Sequence, residues 1–195
     1  MWVLNKRVAR NLRANVVRWI AILFMVILCV YLVTAYMGDA ITAGYNHAKS
    51  FSDNKARSGR FTALAELNDD EFINAIELGF DIEKEFYLDY PALEDAKLRV
   101  FRLREKVDLV FCDSGEPAKT DSEAVIEKHF CEYNDLHVGD TINIAGLEFT
   151  ISGIGGSPDA EYVFDIDGET TDHKMFGNCF VTADGYERLR NTGEM

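Results

Sequence analysis

The chain has 195 residues, 48% hydrophobic and 27% charged, a globular composition rather than a disordered or fibrous one. Its 20 Lys+Arg stand against 33 Asp+Glu, a formal net charge of -13, which argues against nucleic acid as a partner, because a phosphate backbone demands a basic face. The balance is split: five cations and no acid lie in residues 1–18, leaving 15 cations against 33 acids, or -18, for the rest.

Residues 1–18 are patterned. Leu4, Val8, Leu12 and Val16 recur at i+4 and form one helical stripe, with Lys6, Arg7, Arg10 and Arg13 on the opposite side. Such a basic amphipathic helix is suited to the inner membrane interface, its cations on anionic headgroups. Residues 19–37 then run without a charge, and Thr34 is their most polar member. At about 1.5 Å per residue a helix of this length spans roughly 28 Å, close to the hydrocarbon thickness of a bilayer. A single span must be helical, since its backbone groups find no water to pair with. Trp19, Tyr31 and Tyr36 lie towards the ends, where amphipathic rings favour the headgroup layer. The cations before the run and Asp39 after it place the N-terminus in the cytoplasm and residues beyond about 38 outside the cell membrane. A cleaved signal peptide is the rival reading, but the apolar run exceeds the usual 7–15 residues.

Residues 38–60 read as a stalk that carries the helix outward and ends in a polar Ser/Lys/Arg/Gly stretch. Residues 61–195 are long enough for an outer domain with its own core. Residues 61–67 alternate like a strand. Asn68-Asp69-Asp70-Glu71 opens a short helix carrying Phe72, Ile73, Ile76 and Leu78, and Gly79 ends it. Strands are predicted over 82–90 (closed by Pro91), 98–103 and 107–111, followed by a loop over 113–121. A strand over 124–127 leads into a helical turn over 128–134. Strands over 141–144 and 148–154 form a hairpin about Ala145-Gly146. Further strands are predicted over 162–166 and 178–181, then a helix over 183–190. The class is α+β: one N-terminal transmembrane helix, then a mixed outer domain with a β-rich second half. Phe86, Tyr87, Tyr90, Phe101 and Phe111 are expected to fill its core. Of the four cysteines, Cys29 lies in the apolar run. Cys112, Cys131 and Cys179 are an odd set with no CxxC spacing, so the fold is not expected to depend on disulfides.

The segment 122–162 carries the most specific signal. A strand and short helix lead into Leu136-His137-Val138-Gly139-Asp140. A hairpin then returns through Phe149-Thr150-Ile151-Ser152-Gly153-Ile154, and Ser157-Pro158 and Tyr162-Val163-Phe164 follow. In order and spacing this resembles the extracytoplasmic domain of the FtsX/MacB-like ABC transporter permeases. Phe176-Gly177 and the strand over 179–182 match the family's later pattern. The basic helix and single span before the domain extend the likeness over nearly the whole chain. The resemblance implies a permease subunit that dimerises and works with a separate cytoplasmic ABC ATPase. It also implies further membrane helices after the outer domain, whereas residues 1–195 hold a single apolar run. In that family the ATPase stroke passes through membrane helix and stalk to the outer domain, for export or for control of a wall hydrolase.

Chemistry was sought and is not expected in this chain. It has no GxxxxGK[ST] phosphate loop, GxSxG, HExxH or EF-hand loop, so no catalytic, cofactor-binding or metal-binding residue is assigned. Gly153-Ile154-Gly155-Gly156-Ser157 lacks the lysine and reads as a loop after a strand. Asp165, Asp167, Glu169, Asp172 and His173 are the best metal candidates, but the calcium-loop spacing fails at Phe176, and a solvated acidic turn is the better reading. Asp69, Asp70 and Glu71 read as helix-capping acids. His47, His129, His137 and His173 are scattered. Glu83, Glu85, Asp89, Glu94 and Asp95 read as a solvated strand edge or, more sharply, as a docking face for a basic partner. Two functions follow as expectations: the N-terminal part of an ABC permease, coupling an ATPase to an outer domain, or a single-pass anchored binding or adaptor domain without transport. Neither is an enzyme.

Overall fold

The computed structural model describes residues 2–61, 69–93, 96–160 and 172–192. The chain divides into two compact units, Met1–Lys49 and Ser50–Met195. In the first, helix α1 spans Trp2–Ala14 and helix α2 starts at Val16 and runs to Asp53, 38 residues. Asn15 separates them and still takes part in helical bonding, donating its N–H to the Asn11 carbonyl at 3.2 Å and accepting from Trp19 at 3.2 Å. Among the described residues α2 is the one helix long and apolar enough to cross a membrane, and none of its side chains is buried. Consecutive large apolar side chains from Val16 to Met37 are left uncovered, which in water would be heavily unfavourable and in lipid is not.

The second unit is α+β. Helix α3 (Asp69–Glu77) ends at Gly79, whose φ of 85° is one that side chains resist. The strands are β1 (Tyr87–Ala92), β2 (Ala96–Arg102), β3 (Phe111–Gly115), β4 (Glu123–Glu127), β5 (Thr141–Ile144), β6 (Leu147–Gly156) and β7 (Phe176–Val181). Helices α4 (Lys128–Asn134) and α5 (Ala183–Arg190) complete the described elements. The sheet order is β3-β6-β4-β7-β2-β1-β5. The ten residues of β6 serve three neighbours: its first four residues pair with β5, its residues from Thr150 onward with β4, and its last four with β3. A one-residue bridge, Ala92 to Ile144, joins β1 to β5, so six strands close into a ring through β6. Closure removes edges that would otherwise offer unpaired backbone groups.

The core follows from strand alternation. Tyr90, Leu98, Val100, Ile126, Ile142, Phe149, Ile151 and Val181 point to one side, where α4 adds Phe130 and α5 adds Tyr186 and Leu189. The other side holds a smaller cluster, Phe101, Val125 and Phe180. All six residues of β7 are buried, as befits a central strand with neighbours on both faces. The β5–β6 turn has φ of 49° at Ala145 and 81° at Gly146, the two positive values expected of a tight hairpin turn.

Several sequence expectations are corrected. Residues 82–86 are not strand, and Pro91 lies within β1 rather than closing it. Its missing N–H is tolerated because β1 meets β5 only at Ala92. The strand expected over 107–111 begins at Phe111 instead, taking part of the expected 113–121 loop into β3. Gly153–Gly156 is not a loop but the end of β6. Phe86 and Tyr87 are exposed, whereas Tyr90 and Phe101 are core residues and Phe111 is half-buried. The strands expected over 61–67 and 162–166 fall, but for Phe61, outside the described residues.

Candidate functional site

The feature of the second unit with the densest buried charge lies where the chain leaves α2. The helix is stopped by Lys55, at φ 49°, with the Ala56 N–H donating to the Phe51 carbonyl at 2.8 Å. That is the pattern of a left-handed helix cap closed by a bond six residues long. Asn54 Nδ2 reinforces it by donating to the Ser50 carbonyl at 2.9 Å. The capped chain is then tied into the domain by its backbone. The Asn54 carbonyl accepts from Leu109 N–H at 2.8 Å, and the Lys55 carbonyl from Asp108 N–H at 3.0 Å.

Side chains lock the same place. Arg57 donates its backbone N–H to Asp108 Oδ1 at 2.9 Å and its guanidinium to Glu85 at 2.7 Å, with Asp159 at 3.5 Å. Arg104 clasps Asp159 with two parallel bonds of 2.9 and 2.7 Å. It also donates to Ser157 Oγ at 3.1 Å and reaches Asp108 at 3.5 Å. The Ser157 hydroxyl lies 3.0 Å from the Asp108 carbonyl and 2.5 Å from Asp159. Beside this cluster, the Glu83 carboxylate accepts the successive backbone N–H groups of Glu105, Lys106 and Val107, at 3.0, 2.9 and 3.2 Å for the closest pairs. Four stretches of chain, around Arg57, Glu83–Glu85, Arg104–Asp108 and Ser157–Asp159, meet in one joint.

The electrostatics are those of a paired, mostly dry cluster. The side chains of Asp108 and Asp159 are each 2% exposed, and that of Arg104 is 6% exposed. Burial alone would raise the Asp159 carboxyl, but the Arg104 bonds, Ser157 and the charges of both arginines hold it below the usual carboxylate range. Burial raises Asp108, helped by the charge of Asp159 and resisted by the Arg57 N–H and both guanidiniums. For Arg104 burial acts downward, but the bond and charge of Asp159 and the charge of Asp108 carry it upward. Charges this buried are tolerated only when paired and hydrogen-bonded, and here each has an opposite partner. The arrangement can hold and transmit; it offers no nucleophile or open ligand position.

The acidic stretch read as a solvated strand edge or a docking face is largely spent in structure: Glu83 and Glu85 in this joint, Asp89 on the Arg99 guanidinium at 2.8 Å. Glu94 and Asp95 lie outside the described residues. Asp69 and Asp70 are the first two residues of α3, and Asn68 before them lies outside the described residues. The candidate metal acids Asp165, Asp167 and Glu169 lie outside the described residues, and among the described residues no group of three or more His, Cys, Asp and Glu is placed to hold a metal ion. Cys29, Cys112, Cys131 and Cys179 are free thiols; burial pushes the Cys131 thiol up to about 12, the reverse of a reactive cysteine. Sequence reasoning missed the joint, whose members are separated by as many as 102 positions. The one local signal is the spacing of Arg104 and Asp108, four apart. It also missed that His129 and His173 come together, ring centroids 5.1 Å apart. No family model, curated protein or solved structure matches the chain.

Proposed function

We propose that this chain is the N-terminal part of an ABC transporter permease subunit of the FtsX/MacB-like kind, with its N-terminus in the cytoplasm, one helix in the cell membrane and its second unit outside. Three features support the reading: the ordered motifs of residues 122–162, the basic flank before the apolar run, and the joint behind the helix. The joint carries most weight. A passive anchor needs only a slack tether between lipid and domain, whereas here the chain emerging from α2 is capped, hydrogen-bonded and clamped by buried ion pairs. In this reading a cytoplasmic ATPase moves the membrane helix of a permease dimer, and the joint fastens the chain that follows α2 within the outer domain. The chain itself binds and couples rather than catalyses.

The test is co-purification of the tagged full-length chain from its native membranes. The reading expects a subunit with a phosphate loop to accompany it, and nucleotide to change the proteolysis pattern of the outer domain. In the Asp159→Ala chain the ATPase still accompanies the permease, but the nucleotide-dependent change is lost. Recovery of the chain with no nucleotide-hydrolysing partner would instead favour an anchored binding domain.

A further inference from the structure

Where α1 passes into α2, the chain forms a shallow hollow of about 250 Å³, lined by Arg13, Val16, Trp19, Ile20 and Leu23. It lies wholly within the first unit. Arg13 is the basic residue of the last turn of α1, and the other four open α2. Val16, Ile20 and Leu23 recur at i, i+4 and i+7, so they share one side of α2, with Trp19 four residues before Leu23. Arg13 is the charged residue among the five, and all five are exposed. Ile20 and Leu23 belong to the charge-free run, whereas Arg13 belongs to a segment, residues 1–18, with five cations and no acid.

We propose that this hollow is a binding site for one anionic phospholipid of the leaflet that α1 meets, with its phosphate on Arg13 and an acyl chain along Ile20 and Leu23. The site rests on α2 spanning the membrane and is independent of the transport reading. A ligand that satisfies the hollow must join an anion to a hydrocarbon part. The guanidinium of Arg13 can take a phosphate with two parallel N–H bonds. Val16, Ile20 and Leu23 offer only apolar surface. The indole of Trp19 is a donor with an apolar body, suited to the ester oxygens at the boundary between headgroups and hydrocarbon. A free phosphate would leave the apolar side uncovered. A zwitterionic lipid brings its own cation into a segment that holds no acid to receive it.

A diffuse attraction of the cationic segment for a negative surface would not depend on which arginine is removed. Arg18 separates the two cases. It carries the same charge as Arg13 but lies two residues before Ile20 and five before Leu23. At about 100° per residue it is turned roughly 160° and 140° from them, away from the hollow.

The chain has two tryptophans, so Trp2→Phe leaves Trp19 as its sole indole. The full-length Trp2→Phe chain is reconstituted in phosphatidylcholine vesicles with a minority of lipid brominated high in the acyl chains. That lipid is either phosphatidylglycerol or phosphatidylcholine, and quenching of Trp19 fluorescence is read. Brominated phosphatidylglycerol should quench with about fivefold higher relative affinity than brominated phosphatidylcholine, the preference that one cation at the surface confers. Arg13→Gln should remove most of that preference, and Arg18→Gln should leave it nearly unchanged. Equal quenching by the two lipids, or an equal loss in Arg13→Gln and Arg18→Gln, overturns the site but not the span, because lipid still reaches Trp19. Quenching by neither lipid also overturns it. Blue-shifted emission would then mean that protein covers the hollow, and emission typical of indole in water that α2 lies outside the bilayer.

Discussion

At Asp159 two opposed effects meet, and geometry decides between them. Burial opposes its charge, but the two-pronged grip of Arg104 outweighs burial and leaves the carboxyl lowered. Removing only one member leaves the other poorly matched: Asp159→Ala should cost about 3 kcal/mol by leaving buried Arg104 with only Asp108, 3.5 Å away, as a counter-charge. Replacing both, as in Arg104→Met with Asp159→Leu, should cost distinctly less, and thermal unfolding of the detergent-solubilised chain distinguishes the two. The sign with pH follows from the lowered carboxyl. Its contribution is complete above its unfolded value of about 4 and is lost as pH falls through the lower folded value. Asp108, raised, acts the other way, gaining protons more readily in the folded state and offsetting part of that loss. An Asp159→Asn chain should therefore show a shallower fall in melting temperature below about pH 4 than the wild type.

Among the elements, β6 explains most of the sheet. Its run of Gly153, Gly155 and Gly156 looks like a loop in sequence, since glycine weakens an isolated strand. In the fold β3 crosses so close that a Cβ on Gly155 would stand 1.9 Å from the Phe111 carbonyl oxygen. Gly155→Ala should part β3 from β6, seen as faster exchange of the Phe111–Gly115 amides while β5 and the first half of β6 stay protected. The helices are more local. Thr182 caps α5 by accepting the Gly185 N–H at 3.2 Å, and Thr182→Ala should lower stability by about 1 kcal/mol in chemical unfolding. The residues that set α4, α5 and β5 are neighbours in sequence, which is why these elements appear with their expected bounds, whereas β6 runs on to Gly156. Residues 107–110 misled because their alternation was real but their backbone bonds do not build a ladder: the Val107 N–H goes to Glu83, and those of Asp108 and Leu109 go to the Lys55 and Asn54 carbonyls.

For the whole molecule, α2 dominates behaviour in solution. An apolar surface as continuous as Val16–Met37 is too large for a protein dissolved in water. The full chain should sediment with membranes after an alkaline wash and require detergent for release. Recovery in the aqueous supernatant would contradict the membrane reading. On the proposed topology, protease added to intact cells should cut within residues 50–195 and spare residues 1–18.

Sequence alone determined what depends on near neighbours. A charge-free run of 19 residues specifies a helix long and apolar enough to cross a membrane. Two-residue and helical periodicities specify the α+β class. Only the tertiary structure decided which distant charges meet. Nothing in the sequence marks Arg57, Glu85, Arg104, Asp108 and Asp159 as one cluster, because a charge carries no local sign of the partner that will let it be buried. The same holds for Glu127 and His173, brought within 3.6 Å by the antiparallel pairing of β4 with β7. Pairing between strands far apart in sequence is set by closure of the sheet, and no window along the chain contains it.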